Sequence, residues 1–169
     1  MSPIGKIAIV ASAFCCLVAT AEPVKFSSGA EVAVPDGFTF QMEAAGKTIV
    51  IRSPSAGLFE LRLTFNTMLP DSASRPSLPE EFIIDRARAK GRNVTRVAGS
   101  LIVGFIEPGS ARDVEGKVWR NMHGMFAVGP GYTTMTLSFA ADRSADPELR
   151  AFVGGGMEEI LSTLRYVGG

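Results

Sequence analysis

Cysteine is scarce in this 169-residue chain, whose two cysteines stand side by side at Cys15 and Cys16. The chain also has one histidine, His123, and one tryptophan, Trp119. Beyond residue 16 there is therefore no thiol to form a disulfide or to bind a metal. The acidic spacing of a calcium loop is absent as well. We expect no metal and no cofactor.

An excess of charge of either sign is also missing. The chain carries 17 basic and 17 acidic residues, and its formal net charge is zero. Nucleic-acid-binding domains usually show a basic footprint, so we expect no nucleic-acid partner. After residue 21 no run is long and apolar enough for a bilayer, which needs about 20 apolar residues. We therefore expect no transmembrane anchor in the mature chain.

The first 21 residues have the pattern of a secretory signal peptide. Lys6 precedes an apolar run from Ile7 to Val18, and Ala19-Thr20-Ala21 follows it. A basic start, a short apolar centre and an A-x-A ending are the parts of such a signal. We predict cleavage after Ala21 and export to the bacterial periplasm. Residues 22–169 then form one domain, because about 150 residues suffice for one core.

Two patterns of hydrophobic residues indicate the fold class. Residues 38–43 and 59–66 alternate apolar and polar side chains, which is typical of strands with one buried face. Residues 77–90 and 146–164 instead have helical periodicity, with a capping-box pattern at Ser77 and a C-terminal Gly91. After a brief strand at 32–34 the order is β-β-β-α-β-β-β-β-α. The chain is predicted to be α+β, a mostly antiparallel sheet flanked by helices.

Three stretches interrupt these patterns. Residues 22–31 are predicted to be a polar segment that precedes the first strand, and Pro108 to Arg112 are predicted to form a turn. Gly154-Gly155-Gly156 lies inside the last helical stripe. Either the helix begins after these glycines, or they let it lie very close to the sheet.

Residues 118–139 form the stretch with the most distinctive composition. They read as a β-hairpin around Gly129-Pro130-Gly131 and hold both the tryptophan and the histidine. Because side chains alternate between the two faces of a strand, one set in this hairpin points away from the face that packs on the core. We predict that this set is an exposed, partner-binding strip: Trp119, Asn121, His123, Tyr132 and Thr134.

Catalysis at His123 has little support in the sequence. A nucleophile elbow G-x-S-x-G is absent, and a structural role for the imidazole within a strand accounts for its position. Trp and Tyr are enriched at protein interfaces, so a contact role is the functional alternative. Five basic residues around the end of the first helix have two readings, favourable helix-end charge or a docking site for an acidic partner: Arg86, Arg88, Lys90, Arg92 and Arg96.

Three segments together resemble a known fold family. They are VPDGFTF early in the chain, the hairpin VWRNMHGMFAVGPGYTTMTLSFA, and the closing MEEILSTLRYV. With the central helix, they look like the Mog1/PsbP-like α/β/α sandwich. The resemblance implies a non-enzymatic binding or assembly protein, a group that includes accessory and immunity-type partners of bacterial secretion systems. It transfers no site residue to this chain.

These observations lead to three functional expectations. The first is an exported, non-enzymatic protein-binding module, most concretely an immunity-type protein that neutralises a secreted toxin or effector. The second is a periplasmic carrier that holds a small hydrophobic ligand between the apolar sheet face and the last helix. The third is an envelope hydrolase that uses His123.

Overall fold

The computed structural model describes residues 21–67, 79–96, 103–112 and 115–168. The described part of the chain contains ten strands, three α-helices and short helical turns. The strands are β1 (Glu22–Lys25), β2 (Ala30–Val34), β3 (Thr39–Glu43), β4 (Thr48–Arg52), β5 (Phe59–Thr67), β6 (Thr95–Arg96), β7 (Val103–Arg112), β8 (Val118–Val128), β9 (Gly131–Ala140) and β10 (Arg165–Tyr166). The helices are α1 (Pro79–Ala89), α2 (Pro147–Ala151) and α3 (Met157–Ser162).

The described strands form two sheets. Seven strands make a large sheet in the order β3-β4-β5-β9-β8-β7-β6, and three make a small sheet in the order β1-β2-β10. Every neighbouring pair is antiparallel. The fold is therefore α+β with mostly antiparallel sheets, as the alternating patterns predict.

The main core lies on one face of the large sheet. Four alternate residues of β5 are buried there: Phe59, Leu61, Leu63 and Phe65. Their cross-strand partners in β9 include Leu137 and Met135, which are also buried. The helical segment 147–162 and the small sheet contribute side chains to the same cluster. Phe152 stacks on Phe59 with ring centroids 4.2 Å apart.

Helix α1 packs on the opposite face of the large sheet. Its buried residues Ile83 and Ala87 cluster with Ala127 of β8. The helix ends at Ala89, and the expected C-terminal glycine, Gly91, has a φ of 63°, which suits a glycine after a helix. The Arg92 amide donates to the Ala87 carbonyl at 2.9 Å, which closes this terminus. The predicted capping box at Ser77 lies outside the described residues.

The glycine run leaves the last helical segment continuous, so both expectations for it were wrong. Residues Phe152–Gly156 form one π-helical stretch between α2 and α3. A methyl group added at Gly154 or Gly155 would meet nothing within 4 Å, so these two positions do not bring the helix against the sheet. A π-helical turn accommodates an extra residue within the helix.

Two other expectations are corrected in the strands. Residues 22–25 are strand β1 rather than a polar segment before the first strand, and residues 103–112 form β7 without a turn at Pro108. Strand β6 pairs only with Val103 and Gly104 of β7. Pro108 therefore lies on a part of β7 with no described pairing to β6, in keeping with the confinement of proline to edge positions in sheets.

Candidate contact surface

The face of the large sheet that α1 packs on is mainly polar, and we call it the polar face. The strand register sets its side chains in rows that cross the sheet. One row contains Glu43, Thr48, Thr64, Thr134 and Met125. The next contains Gln41, Val50, Arg62, Thr136, His123 and Glu107. The third contains Thr39, Arg52, Glu60, Ser138, Asn121 and Gly109.

All five residues of the predicted strip lie on this face. Four of them are half-buried side chains on β8 and β9, and we call them the contact strip: Trp119, Asn121, His123 and Thr134. The fifth, Tyr132, packs under α1 with its ring 5.2 Å from the ring of Phe82. The strip is thus partly buried rather than fully exposed, and Tyr132 belongs to the helix contact.

His123 lies on β8, in the second of these rows. Its Nδ1 lies 3.2 Å from Thr136 Oγ1, within hydrogen-bond distance. A methyl group on Gly109 would lie 3.1 Å from Cδ2 and Nε2 of the imidazole, so glycine on β7 makes room for the ring. Thr136 lies within β9, which pairs with β5 on one side and β8 on the other. The backbone amides around it are engaged in the sheet, whereas a hydrolase needs free amides to stabilise an oxyanion. These contacts fix the orientation of the imidazole within the sheet.

A charged network crosses β3, β4 and β5 beside the strip. Arg62 donates to Glu43 and to Glu60, with both nitrogen–oxygen distances 2.7 Å. Arg52 donates to Glu60 at 3.2 Å and to the Gln41 amide oxygen at 3.2 Å. The hydrogen bond with Glu43 is the main reason that the pKa of Arg62 rises above its ordinary value. The network therefore presents fixed charges of both signs, with a geometry set by the strand register.

Trp119 borders a hollow at the end of the contact strip. The hollow has a volume of about 200 Å³ and is lined by Arg52, Gly57, Phe59, Glu60, Trp119 and Ser138. The Lys117 ammonium lies 5.1 Å from the centroid of the Trp119 ring, within the range of a cation–π contact. An aromatic ring, an ion pair and a hydroxyl thus meet in one concave place.

Two of the basic residues around the end of α1 form ion pairs. Lys90 forms an ion pair with Glu107 of β7, and Arg88 pairs with Asp85 at 2.8 Å. The hydrogen bond from Lys90 lowers the pKa of Glu107, and the charges of Arg92 and His123 lower it further. Two of the five basic residues are thus held in ion pairs, and both readings of the cluster stay predictions.

No three His, Cys, Asp or Glu side chains in the described ranges come together in a way that could hold a metal ion. No helix in the same ranges combines the length and the apolar character needed to cross a membrane.

The charged network and the hollow were missed by sequence reasoning. Their residues come from β3, β4, β5, β8, β9 and the connection before β5, so it is mainly the pairing register that brings them together. The available signal was the alternation of Glu60 and Arg62 between apolar residues of β5. That alternation shows which face the two side chains share, but not which strands lie beside them.

Comparisons with known proteins give a likeness in fold. No protein-family model matches the chain, and no curated protein matches it in sequence. A solved structure from Bacteroides thetaiotaomicron VPI-5482 matches with a TM-score of 0.60 at 10% identity, covering 85% of this chain and 47% of that one. This chain therefore spans about half the length of that protein.

A second solved structure is cyanobacterial PsbP (CyanoP) from Synechocystis sp. PCC 6803. It matches with a TM-score of 0.34 at 13% identity, over 98% of this chain and 99% of that one. PsbP is thus among the structural neighbours of this chain. The likeness to the Bacteroides structure shows the fold alone, and function has to be argued from the polar face.

Proposed function

We propose that this protein is an exported, non-enzymatic binding module of the bacterial periplasm whose partner is another protein. In its most concrete form, it is an immunity-type protein that binds and neutralises a secreted toxin or effector. The partner binds across the contact strip and the charged network. The observation that carries the proposal is the hollow beside Trp119, where an aromatic side chain meets the Arg52–Glu60 ion pair.

The composition of this surface fits a protein interface. Trp, Tyr and Arg dominate the few residues that carry most binding energy at such interfaces. Trp119 and Arg52 line the hollow together with the half-buried Ser138, and Arg62 forms an ion pair with Glu60, which also lines it. A volume of about 200 Å³ suits one inserted side chain, because pockets for drug-sized ligands run from about 300 to 1,000 Å³.

The carrier alternative places its ligand elsewhere in the fold. Phe59 and Phe152 stack between the sheet and the helical segment, and the Phe38 ring lies 5.8 Å from that of Phe152. These rings fill the space in which such a carrier would hold its ligand. This packing is why we place binding on the polar face.

Affinity capture from a periplasmic extract tests the binding proposal. The wild-type chain should retain one partner in stoichiometric amount. Trp119→Ala should weaken its retention at least tenfold, because truncating an aromatic residue that anchors an interface costs about 2 kcal/mol or more. Val153→Ser is the matched control, since Val153 is exposed on the helical segment that packs on the opposite sheet face. Equal retention by Trp119→Ala would contradict the assigned surface, and no retained partner would contradict the function.

Two further measurements test the finer parts of the proposal. If the captured partner is toxic in the periplasm, co-expression of the wild-type chain should restore growth, and the Trp119→Ala chain should restore less. Unchanged toxicity with the wild type would contradict the immunity role. Mass spectrometry of the chain from the periplasm should find an N-terminus at Glu22. A cytoplasmic chain that begins at Met1 would contradict export.

A further inference from the structure

Strand β3 ends the order of the described strands in the large sheet, with β4 beside it. It runs Thr39-Phe40-Gln41-Met42-Glu43, and its first four residues are exposed. Phe40 is 41% exposed and Met42 is 37% exposed, which is high for side chains of this size. An edge strand also presents unpaired backbone groups, which makes it a template for pairing with another chain.

Several usual protections of an edge strand are missing from β3, which is short and has one charged residue, Glu43. Such edges commonly carry Lys, Pro or a bulge. Strand β3 contains neither residue type, and its pairing with β4 is unbroken from Thr39 to Glu43. Phe40 and Met42 lie opposite Ile51 and Ile49 of β4, which are both fully buried. The two exposed side chains therefore continue the apolar face of the sheet onto its edge strand.

We propose that β3 is a dimerisation edge, on which the β3 strand of a second copy pairs in antiparallel orientation about Gln41. The sequence of the strand alternates polar and apolar residues symmetrically around Gln41. In this register Phe40 lies opposite Met42 of the second copy, and Thr39 lies opposite Glu43 of the second copy.

This complementarity favours a second copy over an unrelated strand. Each exposed apolar side chain gains an apolar cross-strand neighbour, a contact worth about 0.2–1 kcal/mol. The two Glu43 carboxylates fall at opposite ends of the pair, so like charges do not face each other. The backbone groups of both edges are satisfied by the same pairing.

A cysteine at the symmetry centre tests the register directly. Directly opposed residues in antiparallel strands have Cα atoms about 4.5–5.5 Å apart, which a disulfide can bridge. Gln41→Cys, in a chain with Cys15→Ser and Cys16→Ser, should therefore form a disulfide-linked dimer under mild oxidation. Thr39→Cys is the matched control on the same face of the same strand. Its two copies would lie about 14 Å apart, from four residues at 3.4 Å each.

The cross-linking result has clear contrary outcomes. The proposal expects most of the Gln41→Cys chain as dimer and little of the Thr39→Cys chain. No dimer from Gln41→Cys, or as much from Thr39→Cys, would overturn the pairing.

Sedimentation without oxidant tests the same edge independently. The wild type should dimerise at concentrations below about 100 μM, and Met42→Lys should weaken the dimer at least tenfold by opposing a charge to Phe40. Val153→Lys is the control, because Val153 is also 37% exposed but lies on the helical segment. A monomeric wild type would overturn the proposal, as would a Met42→Lys dimer of unchanged affinity.

Discussion

Replacing glycine by alanine should change the stability of this protein in opposite directions at two positions. At Gly131, the first residue of β9, an added Cβ would lie 2.2 Å from the Asn66 carbonyl oxygen and 3.0 Å from Cζ of Phe65. At Gly154, in the π-helical stretch, it would meet nothing within 4 Å. We therefore expect Gly131→Ala to destabilise the protein and Gly154→Ala to stabilise it.

The magnitudes follow from what surrounds each position. The Asn66 oxygen belongs to backbone and cannot rotate away, so β9 and β5 must separate where Gly131 pairs with Thr67. Overpacking that shifts backbone costs about 1–3 kcal/mol, and a ladder hydrogen bond lost there adds about 1 kcal/mol. Gly131→Ala should then lower the free energy of unfolding by about 2–4 kcal/mol. Replacing a helical glycine by alanine should raise it by about 0.5–1 kcal/mol.

Urea denaturation, monitored by far-ultraviolet circular dichroism, measures the free energy of unfolding of both variants and of the wild type under the same conditions. If the slope of unfolding free energy against urea concentration equals that of the wild type, the variant has changed stability and not the surface exposed on unfolding. The reasoning would be refuted if Gly131→Ala lost less than about 0.5 kcal/mol. It would also be refuted if Gly154→Ala were less stable than the wild type.

Two other perturbations probe the polar face and the core. The Lys90 hydrogen bond holds the pKa of Glu107 below its ordinary value of 4.5, so ionised Glu107 adds stability that is present above that pH and disappears as the pH falls through the lowered pKa. Lys90→Met should therefore differ from wild type in unfolding free energy more at pH 7 than at pH 3; a difference independent of pH would contradict this pairing. Phe152→Ala should cost about 3–5 kcal/mol in the same measurement, because the buried ring stacks on Phe59. A loss below about 1 kcal/mol would show that the stack is not part of the core.

The elements with a regular period were predictable from sequence. Strand β5 alternates without interruption, and each of its apolar residues is buried. Alternation also placed Trp119, Asn121 and His123 correctly on one face of β8. This is because successive side chains in a strand point to opposite faces, so odd and even positions separate. Alternation does not show what covers a face, which is why the position of Tyr132 under α1 was missed.

Other features depend on contacts between distant parts of the chain. Strand β10 has two residues and is held beside β2, where Arg165 donates to the buried Glu31 at 2.6 Å. No local pattern marks a strand this short. Pro108 is a turn residue by composition, and it lies in a strand at a position with no described pairing to β6.

Trp119 is the only indole in the chain, and it lies at the rim of the hollow. Tryptophan fluorescence from this protein therefore has a single source, next to the surface that we assign to the partner. A molecule that enters the hollow changes the surroundings of that one ring, including the Lys117 ammonium 5.1 Å from its centre. Emission spectra of the unlabelled wild-type chain can thus follow the binding of a partner that contains no tryptophan.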